Sequence, residues 1–516
     1  FIRDQRSRIR MRFALIFVVL LSLVQPTSSF DFSSITSFWE DVKGKIENFI
    51  RGNGTITDEQ AALLEKLNST TSDLDDFHER LKEIRELVKD QLLSAENSID
   101  KKALEKMLKK FAKRIRQQIR QTGDNLEEVN EKLKVSDQYY QGDMILTEQQ
   151  MEQMADENVN KRQAFVDGTV GRKWGIVYYS FAQGIKPHTR AVAEQAVRFW
   201  QQNTCVNFQF SETQTRRINV FEGQGCYSYV GSIGRTQELS LGQGCDSFGT
   251  AAHEFGHALG FFHAQSRFDR DNAITLIPGN VQNGWLDQFN KETERTNNNF
   301  GLPYDYGSVM QYAGTSASRN GQPTMMAKLP QFQDTMGSDI VSFVDISMMN
   351  TLYGCKERCA TSATRCQNGG FPHPRDCTKC LCPAGFGGSF CNERPTGCGA
   401  TLVATRDVQR LTTKVGRNNF TTPQDDFVFC NWMITAPGAA DRIQVTITSY
   451  VKNACVSGCV YGGVELKWRR DPTLSGSRYC CPNDVSETVT SEANILPVIG
   501  YNRYGVESFT LTYRII

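Results

Sequence analysis

Cysteine is absent from the first 204 of the 516 residues, and all 16 cysteines lie from Cys205 onward. The N-terminal two-fifths therefore cannot build a disulfide framework and has no thiolate to offer a metal. Histidine is scarce, with six in the whole chain. Net charge is only +1, from 58 Lys and Arg against 57 Asp and Glu, which gives no basis for a nucleic-acid partner or for bulk electrostatic targeting. No apolar run reaches the roughly 18 residues that a membrane-spanning helix needs, so no transmembrane anchor is expected. The run Phe13 to Val24 is preceded by Arg8, Arg10 and Arg12 and followed by Thr27-Ser28-Ser29. Basic, apolar and small-residue regions in that order read as a secretory signal within residues 1–29. The chain opens on Phe1, and the start of translation is expected at Met11 or upstream. An even number of closely spaced cysteines behind such a signal predicts disulfides in an oxidising, extracellular location. The length calls for several domains.

Three of the six histidines fall within His253-Glu-Phe-Gly-His257-Ala-Leu-Gly-Phe-Phe-His263. His253 and His257 are four apart, so on a helix they share one face and can grip one metal ion. Glu254 lies beside them as a general base for an attacking water. Gly260 tolerates a left-handed turn that swings His263 back toward the other two. Three neutral nitrogen ligands with an open fourth position make a catalytic zinc site, not a structural one. A bare H-E-x-x-H also occurs on ordinary amphipathic helices; the glycine and third histidine in register, and Met310 in Ser308-Val-Met310-Gln-Tyr312 downstream as a Met-turn, favour the metzincin proteases.

The surrounding residues resemble the astacin family: Gly225-Cys226 through Gly234, Leu241 through Cys245, Gly249-Thr250, Ser266-Arg267-Phe268-Asp269-Arg270-Asp271 and Pro303-Tyr304-Asp305-Tyr306-Gly307-Ser308. The resemblance covers roughly residues 163–355 and implies a two-lobed α+β metzincin catalytic domain with its cleft between the lobes. It also implies a displaceable role for Tyr312 at the metal, steadying the oxyanion, and the pairings Cys205–Cys355 and Cys226–Cys245; sequence alone leaves three pairings open. Tyr140-Gln141-Gly142-Asp143 matches the family's zymogen motif, in which the aspartate fills the open zinc position. Asp143 is thus the candidate latency switch, with the dibasic Lys161-Arg162 before Gln163 as the cleavage site. The pattern departs in three places: Ala264 stands for the glutamate that in the family helps anchor the mature N-terminus, Gln311 for the usual Met-turn histidine, and Val159 for an upstream arginine at the cleavage site.

Residues 30–162 read as a helical pro-segment. Leu74, Phe77, Leu81, Ile84, Leu87 and Val88 recur at helical spacing, as do Leu104, Met107, Leu108, Phe111, Ile115 and Ile119. The second stripe is flanked by basic residues, which suit a membrane surface, a polyanion or the acidic residues of the first stripe. Beyond the catalytic domain, Cys380-Leu-Cys382-Pro-Ala-Gly385-Phe386-Gly387 and the cysteines around it resemble an EGF-like module over 356–392. That resemblance implies Cys359–Cys377, Cys366–Cys380 and Cys382–Cys391, with no calcium site. From Cys398 to the end, strand-like runs with Cys398-Gly, Cys430-Asn-Trp432 and Pro437-Gly438 resemble an all-β CUB sandwich, implying Cys398–Cys430 and protein or glycan ligands. Cys455, Cys459, Cys480 and Cys481 exceed that pattern and are expected to form two bridges of open pairing. Asn53, Asn68 and Asn419 begin glycosylation sequons. The expectation is a secreted zinc endopeptidase, latent until an activating protease cuts it, acting on extracellular matrix, cuticle or other extracellular proteins. The alternative is an inert extracellular protein that binds through its EGF-like and CUB modules.

Overall fold

Why the metal-binding helix forms is local. Ser247 caps it, its Oγ accepting the Thr250 N–H at 3.1 Å, and Gly260 ends it at φ 118°. In the computed structural model, which describes residues 125–155, 173–294, 297–451 and 455–516, this helix is α4, Phe248–Leu259. Eleven of its residues are buried, so it is a core helix and not an amphipathic surface one. Before it come α1 (Leu126–Leu133), β1 (Met144–Ile145), α2 (Glu148–Ala155), β2 (Ile176–Phe181), α3 (Pro187–Asn203), β3 (Asn207–Phe210), β4 (Ile218–Phe221), β5 (Cys226–Tyr229) and β6 (Gln237–Leu241).

The strands form one sheet in the order β1-β5-β6-β4-β2-β3. Only the β5/β6 pair is antiparallel. β1 lies on the free edge of β5, with Met144 opposite Ser228. An extended peptide on a sheet edge is held by main-chain hydrogen bonds, and residues 143–145 use the edge that way. α3 packs on α4 under the sheet, where Trp200 donates from Nε1 to Ala252 O at 3.1 Å.

After α4 the chain is largely irregular, with a short β7/β8 pair (Ile274–Leu276, Met325–Ala327), and closes with α5 (Phe343–Leu352). The disulfides Cys205–Cys355 and Cys226–Cys245 tie this region. A small hairpin, β9 (Phe371–His373) and β10 (Asp376–Leu381), carries Cys359–Cys377, Cys366–Cys380 and Cys382–Cys391.

The C-terminal part is a two-sheet sandwich. Its strands are β11 (Thr401–Val403), β12 (Gln409–Gly416), β13 (Val428–Thr435), β14 (Ile443–Val451), β15 (Gly462–Leu466), β16 (Ser477–Tyr479), β17 (Thr488–Thr490), β18 (Ile495–Asn502) and β19 (Val506–Ile515). One sheet runs β11-β13-β18-β15-β16 and the other β12-β19-β14-β17. Alternate residues such as Ile443, Val445 and Ile447 point inward against Trp432, Val464, Tyr501 and Phe509. Cys398–Cys430, Cys455–Cys481 and Cys459–Cys480 complete eight disulfides, so the excess four cysteines pair outermost with outermost. Asn419 is exposed in the turn between β12 and β13.

The sandwich packs under the catalytic part: Asp305 accepts both the backbone N–H and the hydroxyl of Ser475 at 3.1 Å, and Arg503 pairs with Asp339. All described residues belong to one compact unit, Gln121–Ile516. Among them no helix is long and apolar enough to cross a membrane. The signal sequence, both apolar stripes of the N-terminal region, Asn53, Asn68 and the Arg162/Gln163 cleavage site lie outside the described residues.

Candidate active site

α4 presents His253 and His257 on one face, and the turn at Gly260 returns His263 to them. The Nε2 atoms of His253 and His257 are 2.9 Å apart, and both rings are buried together with that of His263. Each outer nitrogen has an acceptor: Val309 O at 2.7 Å for His253, Phe261 O at 2.8 Å for His257 and Gln141 Oε1 at 3.1 Å for His263. With Nδ1–H donating outward, every Nε2 lone pair faces the common centre, which is how a metal-binding imidazole is oriented.

Asp143 sits in that centre. Its Oδ2 is 3.1 Å from Nε2 of His253 and of His263, and its Oδ1 is 3.5 Å from Nε2 of His257. The four donor atoms lie within 4.8 Å of one another, and all four residues are buried. Burial alone would raise the Asp143 pKa, but the charges of His263 and His257 and the hydrogen bond to His253 hold it well below the usual range. Burial lowers His257, and it brings His263 down to about 4. Against its own burial, His253 is raised by the hydrogen bond and charge of Asp143. Without a cation, a buried carboxylate among three imidazoles must borrow a proton to balance its charge. Oδ1 of Asp143 also has no hydrogen-bond partner among the described residues. A divalent ion at the centre answers both, and three imidazoles with one carboxylate form a fitting zinc set.

Glu254 is fully buried beside this cluster, and neither of its oxygens has a hydrogen-bond partner among the described residues. Burial, then the neighbouring Asp143 charge, push its pKa well above the usual value. Tyr312 lies over His263, ring centroids 4.3 Å apart, and its hydroxyl donates to Gln141 O at 2.9 Å. Met310 runs beneath: a Cβ on Gly256 would meet its Sδ at 3.0 Å, so the glycine in α4 makes room for the Met-turn. Ala264 donates from its N–H to Met310 O at 2.9 Å. Gln311 accepts from the Tyr304 hydroxyl and donates to Tyr312 O at 3.0 Å, so it is tied into the turn.

Asn130, Glu127 and Glu131, which sequence reasoning passed over, hold the N-terminal segment in place together with Tyr140 of the switch motif. Asn130 on α1 donates to Gly142 O at 3.0 Å and to Cys226 O at 2.7 Å, and accepts from Cys226 N at 2.8 Å. Glu127 accepts from Ala313 N at 2.9 Å and from the Ser316 hydroxyl. Glu131 accepts from Ala317 N at 2.6 Å and Gln282 Nε2 at 3.1 Å. Tyr140 donates to Glu292 Oε1 at 2.7 Å. The one available signal was their closeness to the switch motif.

The family model of the astacin peptidases matches residues 168–354. Zinc metalloproteinase nas-17 of Caenorhabditis elegans is 35% identical over 388 residues, covering 74% of this chain and 88% of that protein. The chain belongs to the astacin family. Nas-31 of the same organism is 46% identical over 406 residues, covering 76% of this chain. The chain spans 66% of the length of nas-31 and 60% of nas-32. Among solved structures, high choriolytic enzyme 1, a hatching enzyme zinc-protease of the medaka Oryzias latipes, is 31% identical over 36% of this chain and 94% of its own, with a TM-score of 0.34. His253, His257 and His263 are the zinc ligands of this astacin site, and Asp143 is the fourth donor within reach.

Proposed function

We propose that this astacin is a secreted zinc endopeptidase made as a zymogen, cut after Arg162 and acting on extracellular matrix, cuticle or other extracellular proteins. The observation that carries the reading is the Asp143 carboxylate lodged against all three histidine Nε2 atoms, beside a buried glutamate. Zinc, when bound, polarises the scissile carbonyl and acidifies water. Glu254 takes the proton from the attacking water and passes it to the leaving amine. Departure of Asp143 removes one of the two causes that raise the Glu254 pKa, so activation favours the base form. The Tyr312 hydroxyl, freed from Gln141 O, donates to the developing oxyanion. The edge of β5, vacated by residues 143–145, takes the extended substrate backbone.

The rest of the assignment belongs to the same reading: signal 1–29, pro-segment 30–162, catalytic domain 163–355, an EGF-like module 356–392 and a CUB-like domain 398–516 that takes protein or glycan ligands, with glycans on Asn53, Asn68 and Asn419. The test is cleavage of gelatin or casein by secreted protein before and after a trypsin-like protease, beside Glu254→Ala and a zinc chelator. Turnover that appears only on processing and disappears with either control supports the protease. Zinc binding without turnover by the processed protein across a broad peptide library supports the inert binding protein instead.

A further inference from the structure

The three zinc ligands are not oriented alike. His253 and His257 donate Nδ1–H to Val309 O and Phe261 O, carbonyls on the catalytic side of the cleavage site. His263 has its acceptor on the N-terminal segment, the Gln141 side chain. Gln141 is 1% exposed and held in a left-handed backbone, φ 51°. Its amide has one orientation, because Nε2 faces two pure acceptors, Asn290 O at 3.3 Å and Glu292 Oε1 at 3.2 Å. Its Oε1 therefore points at His263, and the same oxygen accepts the Ser266 hydroxyl at 2.6 Å. A buried zinc ligand thus depends on a residue that, on the zymogen reading, processing removes.

An outer acceptor fixes the tilt and basicity of a metal-bound imidazole, so His263 needs a successor to Gln141. Ser266 is fully buried and three residues away, and its hydroxyl already meets His263 Nδ1–H at one shared oxygen. A hydroxyl both donates and accepts, which Gln141 has no need of in the latent form. We propose that His263 is handed over on activation: Gln141 orients it in the zymogen, and Ser266 orients it in the mature enzyme. Ser266 is thereby a positioning residue of the active state alone. The proposal rests on the zymogen reading, since it requires the 125–155 segment to leave.

The experiment measures zinc affinity by competition with a chromogenic chelator, on the full chain and on the processed protein, for wild type, Gln141→Ala, Ser266→Ala, the two combined, and Ser266→Thr. Gln141→Ala alone should leave zinc affinity near wild type in both forms, because the freed Ser266 hydroxyl takes over. Gln141→Ala combined with Ser266→Ala should weaken zinc about 10- to 100-fold in the zymogen, the usual range for a lost outer acceptor. Ser266→Ala alone should weaken zinc about 10- to 100-fold in the processed form and leave the zymogen near wild type. Ser266→Thr, which keeps the hydroxyl, should behave as wild type. Ser266→Ala acting equally on both forms, or on neither, overturns the hand-over. The mass of the processed protein separates this from the premise: if residues 125–155 remain bound after cutting, the zymogen reading fails and the hand-over fails with it.

Discussion

On the zymogen reading, a buried carboxyl with nothing to bond is a cost that the latent state carries for chemistry performed later. Both oxygens of Glu254 lack a hydrogen-bond partner among the described residues, and the side chain is fully enclosed next to another carboxylate. Leaving a buried polar group unsatisfied costs about 1–3 kcal/mol. Methionine has a similar length and no polar atom that demands a partner, and its flexibility lets it fill the same space. Glu254→Met should therefore stabilise the zinc-loaded zymogen by about 1–3 kcal/mol. For a catalytic domain of this size each kcal/mol moves Tm by about 2–4 °C, so a rise of several degrees is expected. Glu254→Gln keeps two polar atoms in the same place and should gain nothing. After processing, both variants should lose at least about 100-fold in peptide hydrolysis, the ordinary contribution of a general base. Thermal unfolding of the three unprocessed proteins in parallel decides it. A Glu254→Met zymogen less stable than wild type would mean that the carboxyl has a structural partner, and the argument from its isolation would be wrong.

Two further tests address the frame around the site. Cys205–Cys355 closes 150 residues and Cys226–Cys245 closes 19. In the chain-entropy relation, removing the first pair as alanines should cost about 5 kcal/mol and the second about 3 kcal/mol, read from denaturant midpoints; the opposite ranking would show that native-state contacts, not loop closure, set their worth. Burial raises Glu131 on α1 from 4.5 to about 8. The docked segment thus holds a proton that the released or unfolded one gives up, so this contribution is full below pH 4.5 and is lost as pH rises through about 8. Zymogen Tm should fall between about pH 5 and 8 more steeply in wild type than in Glu131→Gln; equal slopes would remove Glu131 as the cause.

What the sequence made legible was whatever is encoded within a few residues. The i, i+4 pair on α4, the turn at Gly260 and the third histidine are read from spacing alone, because helix geometry converts that spacing into one face. The alternation in β14 likewise announced a strand with one buried side. Contacts between distant segments left no such trace. Glu127 and Glu131 sit one turn apart on a charged helix, the pattern of a solvated face. They are instead turned inward because the backbone N–H groups of Ala313 and Ala317, 186 residues away in each case, need acceptors. Asp305 was read only as part of a family motif, whereas its carboxylate also receives Ser475 from the sandwich. The Gln141 position is variable in the motif, so nothing marked it as the orienting partner of a zinc ligand.

Those distant contacts also explain how a single carboxylate could hold a zinc site shut against water. Alone, an aspartate would compete poorly with the solvent for the fourth position. Asp143 does not compete alone. On one side its own carbonyl accepts Ser228 N–H at 3.0 Å, and β1 continues along β5. On the other, Gln141 is fixed by Ser266, Asn290, Glu292 and Tyr312. α1 then staples the segment across the cleft, through Asn130 to Cys226 and through Glu127 and Glu131 to the loop after Tyr312. Each anchor raises the effective concentration of the carboxylate at the metal without adding any affinity of its own for zinc. On the zymogen reading, a cut at Arg162 would break none of these contacts directly, so activation would require loss of the whole segment, and the ligand it orients, His263, would then need a new partner.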